Sequence, residues 1–248
     1  MKIKSTIVVA AATGAAFAPN AEAAPKQTSA APVWSWTGFY VGAHLGGAWQ
    51  DGKTEGRTQG SYVGDTAWFP FTNKTTHSGF IGGGQIGYNW QSGAFVYGLE
   101  ADISDFSGSA STTQTAGPAA TPVTVTSENR IGWVGTIRGR VGATIFNTTL
   151  LYATGGWAYG RVNNAHTEAG GGLVATWQEN TTRSGYVVGG GIEHMIGPNW
   201  IIRLEGMYVD LGSKTLSTPN SGSCVNACDP VVFSNTATMV RGAVNYKF

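Results

Sequence analysis

The final ten residues, 239–248, constrain the chain more than any other stretch. They alternate with period two: Val240, Gly242, Val244, Tyr246 and Phe248 on one face, Met239, Arg241, Ala243, Asn245 and Lys247 on the other. A half-buried soluble strand hides its apolar face and wets its polar one. Here the chain stops on an aromatic residue, with a cation just before it. Both faces are satisfied if the apolar one meets lipid and the polar one looks into a closed barrel.

The pattern recurs upstream. Strands are expected over about 36–49, 77–90, 94–106, 128–143, 148–162, 181–195, 200–211 and 235–248. Phe39, Val41, Ala43 and Leu45 share a face in the first, and Phe80, Ile86, Tyr88 and Trp90 in the second. Phe95, Tyr97, Leu99 and Ile103 oppose Glu100 and Asp102 in the third. In the fourth, Ile131, Trp133, Ile137 and Val141 alternate with Arg130, Thr136, Arg138 and Arg140. The phase of the fifth stays open. The connections alternate between long polar loops (50–76, 107–127, 163–180 and 212–234) and short turns at 91–94, near Phe146-Asn147, and at 197–199. Eight strands with this rhythm predict an all-β fold, an eight-stranded antiparallel up-and-down transmembrane β-barrel. Its short turns and both ends are periplasmic and its loops lie outside. Closure pairs the last strand with the first and removes the edges that lipid forbids.

Composition agrees. Charged residues make up 12% of the 248, against about 25% in soluble domains, while Gly numbers 37 and Trp, Tyr and Phe 9, 9 and 10. The net charge of +1 gives no field for nucleic acid. Lys2 and Lys4, an apolar run over 5–18 and Ala21-Glu22-Ala23 form a signal peptide, 1–23, cleaved after Ala23. Residues 24–35 are expected to be a loose periplasmic lead-in, and 36–248 the barrel. In this topology Phe39, Tyr88, Trp90, Phe95, Tyr97, Trp200, Tyr246 and Phe248 fall near the periplasmic end. Trp49, Phe80, Trp133, Trp157, Tyr159, Tyr186 and Tyr208 fall near the outer end, giving two interfacial girdles.

The strand charges Glu100, Asp102, Arg138, Arg140, Glu193, Arg203, Glu205, Arg241 and Lys247 are placed on inward faces. An eight-stranded barrel has room only for side chains, so these groups must pair in a lumen network that sets stability and register, leaving a plugged lumen without a wide pore. Other signals do not converge on chemistry. Gly82-Gly-Gly84-Gln-Ile-Gly87 fits G-x-G-x-x-G, but no helix pattern follows, so it reads as small residues on a curved wall. Cys224 and Cys228, in the last long loop, suit a disulfide in an exported chain. His44, His77, His166 and His194 are scattered, and no nucleophile or acid groups with a histidine. No enzyme, cofactor or metal is expected. His77, or His166 with Glu168, could touch a ligand from outside.

Several runs carry a family likeness: Trp36-Thr-Gly-Phe-Tyr-Val-Gly-Ala43, residues 151–160, Gly189-Gly-Gly-Ile-Glu193, residues 203–212 and the terminal Val-Asn-Tyr-Lys-Phe248. They resemble the small outer-membrane immunogenic and surface proteins, OmpA-type barrels often filed as porin-family proteins of Gram-negative cells. The resemblance covers the mature chain and implies a cell outer membrane location and no catalytic residues. It also implies that Tyr246 and Phe248 end the signal read by the barrel assembly machinery. The expected function is a structural, envelope-integrity role with loop-mediated interactions at the surface. Its partners would be outer-membrane lipid, the assembly machinery and an unknown extracellular loop partner. The alternatives are a small-solute porin or channel and a surface receptor for a ligand such as haemin.

Overall fold

The computed structural model describes residues 34–59, 67–108, 110–222 and 228–248. The signal peptide, most of the lead-in and Cys224 lie outside them. Ten strands follow one another: β1 (Gly38–Gln59), β2 (Trp68–Ser92), β3 (Phe95–Phe106), β4 (Ala110–Ala116), β5 (Val123–Ile145), β6 (Thr149–Gly170), β7 (Leu173–Met195), β8 (Trp200–Leu216), β9 (Ser221–Gly222) and β10 (Val231–Lys247). Eight of them close into a ring in the order β1, β2, β3, β5, β6, β7, β8, β10, with β10 returning to β1. All pairings are antiparallel. β4 runs on along β5 beyond the end of β3, and β9 is a two-residue pairing on β7.

The wall is an up-and-down β-barrel with the expected faces. Leu45 (75% exposed) and Phe80 (82%) stand out from it, with Ile86, Leu99, Ile137, Val141, Leu151 and Leu204 also exposed, while Arg138, Glu205 and Arg241 are fully buried. Rings meet in two groups on the outer surface. One includes Phe39–Phe248, Trp90–Tyr97 and Trp200–Tyr246, and the other Trp133–Tyr159, Trp157–Tyr159 and Tyr186–Tyr208. An apolar band between two aromatic belts is what a bilayer of two polar interfaces selects.

Three expectations need correction, and one phase left open is fixed. First, most of the long loops are sheet. Residues 163–180 form a continuous hairpin, broken only by Gly171 and Gly172, whose positive φ values of 59° and 80° suit a two-residue turn. Residues 50–59 and 68–76 belong to β1 and β2. The 22 residues of β6 span about 70 Å at about 3.3 Å each. Even tilted by about 40°, they overrun an apolar band about 25 Å tall by roughly the same again. Both faces of that overrun are polar or wet, so it has no hydropathic alternation to be read.

Second, Ile131 points inward and Arg130 outward. One extra residue in β5 between Ile131 and Val134 makes a β-bulge, which reverses the alternation above it. Third, β6 is now phased: Leu150, Tyr152 and Ala158 are buried while Leu151 and Trp157 are exposed. Fourth, the described end of the lead-in, Trp34 and Ser35, is held at the barrel mouth; residues 24–33 lie outside the described residues. Trp34 packs against a cluster around the fully buried Trp36. The Trp36 amide donates to Gln91 Oε1 (2.8 Å) and its indole N–H to the Asn147 carbonyl (3.2 Å).

Candidate functional site

The lumen is filled in layers. At the turn end, Trp36, Val96, Leu150, Tyr152, Met195 and Ile201 form an apolar plug. Above it lies the charge layer. Arg138 bonds Glu100, Asp102 (2.9 Å) and Glu205 (3.0 Å). Arg140 pairs with Glu193 (2.8 Å) and Arg203 with both Glu193 and Glu100 (2.6 Å each). Arg241 pairs with Asp102 (3.2 Å) and Glu205 (2.8 Å). Four guanidiniums thus face four carboxylates, and the layer is formally neutral. Neutral donors add to it: Tyr40 donates to Glu100 (2.5 Å) and Tyr152 to Glu205 (2.7 Å). The Arg140 guanidinium lies 4.1 Å from the Tyr152 ring centroid.

His44 joins from the side. Its Nε2 lies 2.8 Å from Ser104 Oγ and 3.2 Å from an Arg241 N–H, so it accepts from the guanidinium, and Nδ1–H donates to Gln85 Oε1 (2.7 Å). Gly83 and Gly87 of the 82–87 run serve this packing. A Cβ at Gly83 would meet His44 Nε2 at 2.8 Å, and one at Gly87 would meet the Tyr40 hydroxyl at 2.4 Å. Lys247 is the exception among the expected network members. It lies on the inward row at the barrel mouth and forms no ion pair with a described residue, because Arg241 is the last β10 residue in the charge layer and Lys247 sits three inward rows beyond it.

A second apolar layer follows, including Ile81, Phe106, Ile131, Val134, Met207 and Met239. Next comes a smaller polar tier, in which Arg183 clasps Glu179, and Asn164 bonds both Glu179 (3.0 Å) and Asn235 (2.9 Å). Gln50 secures the bulge by accepting from the Ile131 amide (3.0 Å) and donating to its carbonyl (3.3 Å). An outer cap of Phe71, Val123, Val125, Ala175, Trp177, Val231 and Phe233 closes the far end.

Under that cap is a grouping the sequence reading missed. His166 Nδ1 lies 2.9 Å from Ser127 Oγ, and its Nε2 lies 3.3 Å from Glu168 Oε1. Asn73 also donates to Ser127 (2.9 Å), and Thr58 to Glu168 (2.9 Å). The composition is that of a nucleophile, base and acid. The environment is not: Ser127 and His166 are fully buried, and His166 is stacked on Phe71 at 4.7 Å and tilted against Trp177 at 5.5 Å. A substrate carbonyl has no approach to Oγ, and the trio acts as a buried hydrogen-bond relay tying β5 to β6.

At 0% exposure His166 is neither a solvated loop residue nor open to the contact from outside that its sequence position allowed. His77 is elsewhere, bonded to the Ser107 carbonyl (3.3 Å), so the two histidines do not converge. His194 faces outward and bonds Thr149 (2.9 Å). At the loop-end rim, Arg57 pairs with Asp229 (2.9 Å), whose hydrogen bond and charge raise the arginine's pKa. This pair anchors the segment after Cys228, which is disulfide-bonded.

A closed antiparallel ring with a lipid-facing apolar band and a filled, neutral interior defines a transmembrane β-barrel of the outer membrane. The chain belongs to the family of the outer membrane protein beta-barrel domain, whose profile matches residues 8–248. It is 34% identical to the 31 kDa outer-membrane immunogenic protein of Brucella melitensis over 251 residues, covering 97% of this chain and 99% of that one. It is also 37% identical to the 22 kDa outer membrane protein of Rhizobium leguminosarum, over 74% of this chain and 68% of that one. Among solved structures, the outer membrane protein OprG from Pseudomonas aeruginosa aligns with a TM-score of 0.45 at 11% identity, over 86% of this chain and 96% of that one.

Proposed function

We propose that this protein is a structural element of the outer membrane, a non-conducting, non-catalytic barrel that strengthens the envelope and carries a rigid sheet above the outer leaflet. The observation that carries the reading is the layered lumen. A neutral layer of four arginines and four carboxylates lies between an apolar plug and an apolar core, and a further apolar cap lies above. A solute would have to break several buried ion pairs to pass, and each uncompensated charge left behind costs about 3–5 kcal/mol. The wall supports the same reading, because its turns sit at one end and its long hairpins at the other, the end assigned to the outside.

Planar-bilayer recording of refolded protein tests the closed lumen. Only brief, irregular openings are expected, and a stable large conductance would overturn the proposal in favour of a channel. The envelope role predicts that cells lacking the protein become more sensitive to detergent. Unchanged sensitivity would remove that part of the reading.

A further inference from the structure

The bulge in β5 has an effect on the outer wall as well as on the lumen. In unbroken alternation Arg130 would point inward with Arg138 and Arg140. The extra residue between Ile131 and Val134 turns it outward. There it pairs across with Asn163, and Arg161, also outward, lies diagonally beside it and opposite Thr182. Asn180, opposite Asn163, accepts from Arg161 Nε (2.9 Å), and among the described residues the two terminal nitrogens of that guanidinium make no other hydrogen bond. Among the described residues neither arginine has a carboxylate partner. Glu128, two residues along β5 from Arg130 and facing the same way, pairs with neither. Like charges this close on neighbouring strands repel unless an anion bridges them.

The patch stands directly on the outer aromatic belt, above Trp133, Tyr159, Trp157 and Tyr186. Another outward pair of cations makes a contrast. Lys53 and Lys74 also face each other across β1 and β2, but Lys53 is paired with Glu55 (2.8 Å), and Asp51 sits in the next outward row.

We infer that Arg130 and Arg161, with Asn163, Asn180 and Thr182, bind the phosphoryl headgroup of an anionic lipid in the outer leaflet. Two guanidiniums can share one phosphate through charge-assisted bonds. The exposed aromatic and aliphatic wall beneath them gives the acyl chains a surface, which a free anion would not need. The inference rests on the loop end facing out.

The test uses folded protein in mixed micelles with equal parts of phosphatidic acid, a phosphomonoester lipid, and phosphatidylcholine, with retained lipid read by native mass spectrometry. Wild-type protein is expected to retain phosphatidic acid preferentially, and raised salt to weaken it. R130Q/R161Q should lose about tenfold in that preference, while K53Q/K74Q keeps it. Heat-dependent gel mobility checks that each variant is folded. Should the double variant fail to fold, R130Q alone replaces it, because that side chain is solvent-exposed. Equal retention by the arginine variant, or an equal loss in the lysine control, overturns the site. Displacement by inorganic phosphate as readily as by the lipid overturns the lipid as ligand. Thiol labelling of N180C on intact cells reports the orientation separately: an unlabelled cysteine would overturn the outward loop end and leave the micelle result standing.

Discussion

Glu100 touches more of the charge layer than any single partner does. It accepts from Tyr40, pairs with Arg138, Arg140 and Arg203, and is 3% exposed. Glu100→Gln keeps its shape and removes one of four negative charges, leaving four guanidiniums against three carboxylates in a medium that cannot hydrate them. Breaking a buried pair this way costs about 3–5 kcal/mol, so the urea midpoint of the folded, heat-shifted gel band should fall markedly. An unchanged midpoint would mean that trapped water already hydrates the layer. The side-chain chemistry of this layer was legible because alternation put Glu100, Asp102, Arg138, Arg140, Glu193, Arg203, Glu205 and Arg241 opposite the large apolar residues of their strands. The network's connectivity was not legible, since it joins residues such as Arg241 and Asp102 that are 139 positions apart.

At the scale of elements, the bulge in β5 decides what sequence could and could not show. Extrapolated from the turn at Phe146-Asn147, unbroken pairing would set Ser127 against Thr167. The inserted residue sets it against His166 instead, so the Ser127–His166–Glu168 relay could not be seen from hairpin register alone. The same residue explains why Ile131 and Arg130 were read on each other's faces. The outer hairpin was hidden differently. The inward face mixes Asn164, His166 and Glu179 with Ala175 and Trp177, and Asn163 and Asn180 face outward, so neither face is uniformly apolar, and only Gly171-Gly172 between Thr- and Val-bearing runs marked the turn.

If the bulge is a true one-residue insertion, deleting Gly132 should leave a regular strand with every side chain on its present face. Deleting Gly139 should not, because Arg138 and Arg140 would become neighbours and one would enter lipid at about 2–4 kcal/mol. Gel-shift analysis of outer-membrane fractions separates the two: ΔGly132 folds and ΔGly139 does not. A failure of ΔGly132 with survival of ΔGly139 would show that the ladder slips rather than bulges.

For the molecule as a whole, closure depends on one seam, β10 against β1, between strands almost 200 residues apart in sequence. Loop closure over such a separation is slow, and an open edge in a membrane leaves backbone groups without partners. Phe248 sits at the turn end of that seam. Its amide donates to the Phe39 carbonyl (2.9 Å), and its ring lies 5.7 Å from Phe39 and 5.2 Å from Tyr246. These contacts are modest: about 1 kcal/mol for the hydrogen bond and about the same for each ring pair. Removing Phe248 should therefore leave a barrel that refolds in detergent and shifts on a gel much as wild type does. If Tyr246 and Phe248 are instead the handle by which the assembly machinery takes up the chain, the same deletion should lower outer-membrane levels several-fold in cells, with export to the periplasm unchanged. Quantifying folded protein in both settings distinguishes a seam contact from a recognition signal. Normal outer-membrane levels of the truncated chain would refute the signal, and equal loss in detergent and in cells would assign the residue to closure alone.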